Sequence, residues 1–265
     1  MMMERFSRIW GQRGILLTLV RRDLRVRYAR SWLGYLWTVI DPLAMALIYF
    51  MVFAVIFQRG DAGHKPYFLF LLVGLLPWQW FNASVNETAR ALVSESKLVR
   101  STNLPRELWV IRVVIAKGIE FLLSLPVLLA FLVVYLFLGE TTLNWRIVLF
   151  PLALVVQFVL QTGIGLLLAP ATVLADDTIR VVRIALRMLF YGTPIIYTLD
   201  KAPDWLQTVL WFNPFSGILE LYRAGFFPQP LQMAPLVVGV LMSLAFLAWG
   251  TVTFARMERA VLKEI

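Results

Sequence analysis

Three ionisable residues lie within or beside long apolar stretches: Asp41, Lys117 and Glu120. A charge at membrane depth marks a substrate or proton path unless something neutralises it. Lys117 and Glu120 stand three residues apart, so on a helix they can pair with each other. Asp41 precedes Pro42 and lies about 12 Å along a helix from Leu33, at 1.5 Å per residue, so it stays near one membrane surface. Neither a third carboxylate nor a histidine joins them, so a proton relay has weak support. Asp176 and Asp177 imitate a metal-binding pair, but they stand at the head of an arginine-bearing stretch, where N-terminal acids complement a helix dipole. His64 is the single histidine and there is no cysteine, which leaves no multi-histidine site, no thiolate site and no disulfide. No Walker A pattern occurs, so the chain is expected neither to bind nor to hydrolyse ATP by itself. No catalytic residue, metal or resident cofactor is expected.

Aromatic residues offer a different chemistry, the flat faces that contact sugar rings or lipid. Tyr35, Trp37, Trp78, Trp80 and Phe81 cluster near expected membrane boundaries, and Trp205, Trp211, Phe212 and Phe215 follow later. They read either as interfacial belts, the common role of Trp and Tyr in membrane proteins, or as the wall of a conduit.

The elements that must position these residues are membrane helices. Of 265 residues, 60% are hydrophobic and 15% charged, against about 45–50% and about 25% in soluble domains. Uncharged runs cover 66–86, 121–139, 147–175 and 224–255; about 20 apolar residues suffice to span as a helix. The runs do not alternate as barrel strands would. The predicted fold is an all-α polytopic membrane protein, a single domain with six transmembrane helices at about 33–57, 66–85, 109–138, 147–172, 180–199 and 233–254. Residues 5–30 carry eight arginines, with Leu16, Leu19, Val20 and Leu24 on one helical face and Arg21, Arg22 and Arg25 largely opposite. This is an amphipathic interfacial helix or a plain topogenic charge cluster. No short apolar region with a small-residue cleavage site follows those arginines, so no cleaved signal peptide is expected. Residues 205–219 are uncharged but too few to cross, and contain Asn213-Pro214 and Gly217. They read as an external helix-break-helix hairpin, 203–227, between spans five and six; such backbone is tolerated only against protein or a wet cavity.

Basic residues divide by side. The N-terminal arm holds eight, 86–112 five, the connector after span four three and the tail three, nineteen in all, against five on the opposite side. The positive-inside rule therefore places both termini in the cytoplasm. The net charge of +9 is spent on this asymmetry, with no call for nucleic acid.

Three stretches together resemble the permease subunits of type-2 ABC transporters, specifically the polysaccharide exporters. They are 22–43 (RDLRVRYARSWLGYLWTVIDPL), 97–112 (KLVRSTNLPRELWVIR) and 193–227, which holds TPIIYTL, WFNPFSGILELYR and GFF. The resemblance implies a homodimer with two separate ABC ATPase subunits, which carry the ATP and Mg, in a bacterial cytoplasmic (inner) membrane. It implies export of a glycan (O-antigen, capsule or teichoic acid) on a polyprenyl-pyrophosphate or similar lipid. Residues 86–106 correspond to a cytoplasmic coupling region, with Leu98, Val99 and Leu104 as apolar contacts, Lys97, Arg100 and Arg106 as charged ones, and Pro105 opening the third span. Arg25, Arg27 and Arg30 are the substrate-entrance candidates; Tyr35, Trp37, Trp78, Trp80 and Phe81 are the conduit candidates. Trp211, Asn213, Pro214, Phe215, Glu220 and Arg223 belong to the hairpin.

Competing classes differ in what they require. An exporter of a drug or smaller lipid would share the fold. A secondary transporter would usually show internal repeats and midplane ion ligands, and a membrane-embedded transferase a convergent acid, base or metal site. Neither pattern is found in the sequence.

Overall fold

The computed structural model describes residues 8–29, 31–57, 65–228 and 230–264. Arg30 and His64, named above, and Arg5, one of the eight arginines of the N-terminal arm, lie outside the described residues. Those described are helical or in turns, with no strand among them. The helices are α1 (Arg13–Tyr28), α2 (Trp37–Phe50), α3 (Tyr67–Thr88), α4 (Ser96–Ser101), α5 (Glu107–Phe137), α6 (Phe150–Leu174), α7 (Thr178–Tyr191), α8 (Asp204–Trp211), α9 (Pro214–Arg223) and α10 (Met233–Glu264). A 3-10 turn (Gly34–Leu36) leads into α2 and a π turn (Met51–Ile56) extends it.

Among the described residues, five helical segments are long and apolar enough to cross a membrane: Gly34–Ile56, Tyr67–Thr88, Glu107–Phe137, Trp145–Leu174 and Met233–Glu264. They match five of the six expected spans. The expected span at 180–199 is not a continuous helix: α7 stops at Tyr191, and 192–198 is non-helical. Gly192 follows the last helical residue, and Pro194, two residues on, has no amide hydrogen with which to continue the ladder. At 1.5 Å per residue the 14 residues of α7 reach only about 21 Å.

α3 is the hub. Its residues from Leu69 to Trp78 are almost completely buried, which an amphipathic surface helix would not permit. Around it stand α2, α5, α6, α7 and α9. Side chains such as Leu122, Leu129, Val133 and Phe137 on α5, and Val237, Leu241 and Leu244 on α10, point outward instead. Exposed apolar rows on spanning helices are what lipid requires.

Glycine permits the closest approaches. A Cβ on Gly163 of α6 would come within 2.4 Å of the Leu247 amide of α10, and one on Gly250 within 2.3 Å of the Gly163 carbonyl. A Cβ on Gly217 would stand 2.0 Å from the Pro235 carbonyl. Without a hydrophobic drive between helices in lipid, such backbone contact is the main source of packing energy. Gly217 therefore does not break the hairpin as its sequence position implied; it lies inside α9 and lets α10 in.

Candidate functional site

The amphipathic α1 buries Leu16 and Val20 against Leu108 and Ala116, so its apolar face lies on α5. Ion pairs fix it there. Arg112, its side chain only 4% exposed, reaches Asp23 at 3.0 Å and Glu95 at 3.2 Å, and its guanidinium lies 5.0 Å from the Trp109 ring centroid. Arg22 also pairs with Glu95. One turn further on, Arg27 donates to both Glu87 oxygens at 2.7 and 2.6 Å and pairs with Glu120 at 3.1 Å. Lys117 closes the ring, 2.9 Å from Glu87 and 2.9 Å from Glu120. The local Lys117–Glu120 pairing expected from sequence is present, while Arg27 and Arg112 also take partners 60 or more residues away.

This ring edges a cavity of about 430 Å³ between α2, α3 and α5, lined by Trp37, Asp41, Gln79, Trp80 and Asn82 among others. With Asp41 present, carboxylates outnumber cations around it. Arg25 is exposed, whereas Arg27 is held by two acids. Tyr35 and Trp37 are exposed, Trp37 at this cavity. Trp80 stacks on Phe121 at 5.3 Å and donates through Nε1 to the Val114 carbonyl at 3.2 Å. Phe81 is buried beside Phe215, with ring centroids 4.9 Å apart.

A second, larger groove of about 640 Å³ runs between α2, α3 and α7. Trp78, Tyr49, Phe190 and Tyr191 supply aromatic wall; Gln79, Asn82 and Asn86 supply amides; Arg183 and Arg187 supply charge. Gln79 and Asn82 line both cavities, so the two share a wall. Sequence reading missed Tyr49, Tyr191, Asn82, Asn86 and these two arginines as a group. The signal was available: amides at 79, 82 and 86, and arginines at 180, 183 and 187, each fall on one helical face.

The hairpin turns at Asn213-Pro214. Asn213 caps α9 by accepting from the Phe215 amide at 3.0 Å, and donates to the Gly192 carbonyl at 3.0 Å and Thr193 Oγ1 at 2.7 Å. Pro214 takes the first helical position, where its missing amide hydrogen costs nothing. Phe215 is fully buried and meets Trp78 midway along α3. Trp211 and Glu220 are half-buried. The other end of the hairpin rises to the α5–α6 turn: Asn144 donates to the Gly225 carbonyl at 2.9 Å, and Thr141 to the Phe226 carbonyl at 3.1 Å. Arg223 solves the problem that the broken stretch creates. It donates to the Pro194 carbonyl at 2.6 Å and the Ile195 carbonyl at 2.7 Å, with its guanidinium 3.7 Å from the Phe70 ring centroid. Non-helical carbonyls at membrane depth need protein partners, because lipid offers none.

In the connector, α4 divides the expected contacts. Val99 is buried against Leu92, Trp109 and Val110, while Leu98 is exposed. Lys97 and Arg100 are exposed beside it; Leu104 and Pro105 are partly buried, and Arg106 pairs with Glu258 of α10 at 3.6 Å. Asp177 holds the N-cap position of α7 but makes no capping hydrogen bond; it pairs with Arg180 at 3.5 Å instead. No cluster of three potential metal ligands occurs among the described residues.

The sequence comparisons decide what kind of protein carries this broken helix and groove. The profile of the ABC-2 type transporter family matches residues 15–227. The chain belongs to that family. Its relatives include two O-antigen export system permease proteins RfbA. The one from Klebsiella pneumoniae is 30% identical over 209 residues, 79% of this chain and 78% of the relative. The one from Myxococcus xanthus is 30% identical over 258 residues, 97% and 96% of the two chains. The polysialic acid transport protein KpsM of Escherichia coli is 26% identical over 211 residues, 79% and 80% of the two. The family match takes in the α1 ion pairs, both cavities, α4 and the hairpin, and ends before α10.

Proposed function

We propose that this chain is the conduit subunit of an ATP-driven exporter that carries a lipid-linked polysaccharide from the cytoplasmic side outward. The observation that carries the reading is the groove between α2, α3 and α7. Its aromatic faces and amides suit sugar rings and hydroxyls, and it lies against spanning helices, where lipid would reject such a lining. Relatives named for O-antigen export and polysialic acid transport support the same substrate class.

In this reading the chain crosses six times, with α7 and the non-helical 192–198 together making the fifth crossing. Asn213 contacts the end of α7, and Gly225 and Phe226 contact the α5–α6 turn. That pattern supports a hairpin, 203–227, that dips from the outer face to mid-depth and returns. Both termini lie in the cytoplasm of a bacterial inner membrane. Two copies pair so that the exposed faces of α2 and α7 line one pathway. Two ATPase subunits, holding ATP and Mg, dock on the connector at Leu98, Lys97 and Arg100.

The cellular test is depletion of this chain. Glycan should accumulate on its lipid carrier inside the cell and return to the surface when the chain is restored. Normal surface glycan after depletion would refute the reading, and export defects confined to a drug or small lipid would move it to that substrate class.

A further inference from the structure

Arg183 and Arg187 stand one turn apart on α7, both exposed and both facing the larger groove. Among the described residues neither has a hydrogen-bond or ion-pair partner, and the groove lining includes no carboxylate. Their position follows from the contacts of α7 with α3. Phe190, one turn beyond Arg187, packs against Trp78, with ring centroids 5.6 Å apart. Trp78 lies about 16 Å along α3 from Tyr67, counting 1.5 Å per residue. Arg187 and Arg183 lie about 4 and 10 Å back along α7 from Phe190, toward the end of α3 that carries Asn82 and Asn86, where two guanidiniums with no carboxylate in the lining favour an anion.

The smaller cavity has the opposite character. Arg27 is neutralised by Glu87 and Glu120, and Asp41 adds a further carboxylate. It repels anions, although Arg27 belongs to the basic arm that seemed suited to receive them.

We propose that Arg183 and Arg187, with the Asn82 and Asn86 amides opposite, form the subsite that holds the diphosphate group of the exported glycan's carrier. The proposal rests on the exporter reading above and assigns a place within that pathway. Residues at i and i+4 present their side chains about 5–6 Å apart, so the two guanidiniums converge on one doubly phosphorylated group. Each can bind phosphate oxygens bidentately. Asn86 Nδ2 donates to the Asn82 carbonyl and Oδ1 at 2.9 and 3.0 Å, which holds the Asn82 amide to donate a further hydrogen bond, and Tyr49 and Trp78 offer flat faces to whatever sugar follows.

The test uses the full chain in phosphatidylcholine nanodiscs, which carry no anionic headgroup to occupy the site. The probes are farnesyl diphosphate, farnesol and a sialic acid oligomer, with binding followed calorimetrically. Farnesyl diphosphate should bind in a salt-sensitive way and farnesol should not. Arg183→Gln with Arg187→Gln should weaken diphosphate binding at least tenfold, while Arg259→Gln, exposed on the tail of α10, should leave it unchanged. The single variants, each weakening binding less than the pair, keep the test valid if the double variant fails to insert. Unaltered affinity in the double variant would overturn the subsite, as would an equal loss in Arg259→Gln. Tighter binding of the sialic acid oligomer than of farnesyl diphosphate would overturn the diphosphate assignment. Because the measurement involves no transport, diphosphate binding that persists in a chain found not to export glycan would sink the exporter reading and leave the subsite standing.

Discussion

Arg223→Met should loosen the stretch 192–198 without unfolding the spans. Arg223 is 8% exposed and donates to the Pro194 and Ile195 carbonyls at 2.6 and 2.7 Å. A hydrogen bond from a charged donor contributes about 1.5–3 kcal/mol, so losing two costs about 3–6 kcal/mol. Removing a buried guanidinium relieves part of its own desolvation penalty, several kcal/mol in real proteins. Methionine also keeps much of the packing on Phe70. The net effect expected is about 2–3 kcal/mol, a shift of about 30- to 150-fold in the local opening equilibrium. The chain has no cysteine, so a single reporter is clean. Ile195 is 0% exposed, and Ile195→Cys should react slowly with a membrane-impermeant maleimide when Arg223 is present. In the Arg223→Met background labelling should accelerate by that factor, with Arg223→Lys between the two because one ammonium reproduces the paired geometry poorly. An unchanged labelling rate would refute the reasoning, since the carbonyls would then have other partners.

Three further outcomes are expected. Leu98→Asp, which alters an exposed position, should reduce co-purification of the ATPase by about 2 kcal/mol of binding while leaving membrane insertion intact; Val99→Asp should instead lower the yield of folded chain, because Val99 is 1% exposed. Gly163→Ala should cost about 1–3 kcal/mol by forcing α6 from α10, read as a lower thermal midpoint in detergent, whereas Gly14→Ala, with nothing near its Cβ position, should be silent. Arg112→Gln should free α1 from Asp23 and Glu95, read as faster tryptic cleavage after Arg21 and Arg22.

The spans were legible because apolar length is a strong signal: 66–85 was expected and Tyr67–Thr88 found, 147–172 expected and Trp145–Leu174 found. The last helix runs on to Glu264, beyond the apolar limit at 254, because its charged tail is made of good helix formers. The helical break at Asn213-Pro214 was legible from local turn chemistry. The expected span at 180–199 runs through Gly192 and Pro194, which are legible helix-ending residues; what no local signal shows is that Arg223 satisfies the backbone beyond. That contact joins residues 28 and 29 apart, and helical periodicity cannot register it. The same holds for Arg27, whose partners Glu87 and Glu120 lie far along the chain. Leu98 and Val99 looked alike in sequence; only the fold of α4 sends one outward and the other into the core.

The central claim is that this chain forms the pathway and a separate ATPase drives it. The direct measurement is reconstitution of the chain with its ATPase in liposomes that carry a fluorescent lipid-linked oligosaccharide on the ATPase side. ATP should drive label to the opposite leaflet, and the chain without ATPase should neither move label nor hydrolyse ATP. Label that crosses equally without the ATPase, or that never crosses with both subunits assembled and ATP turning over, would contradict the account.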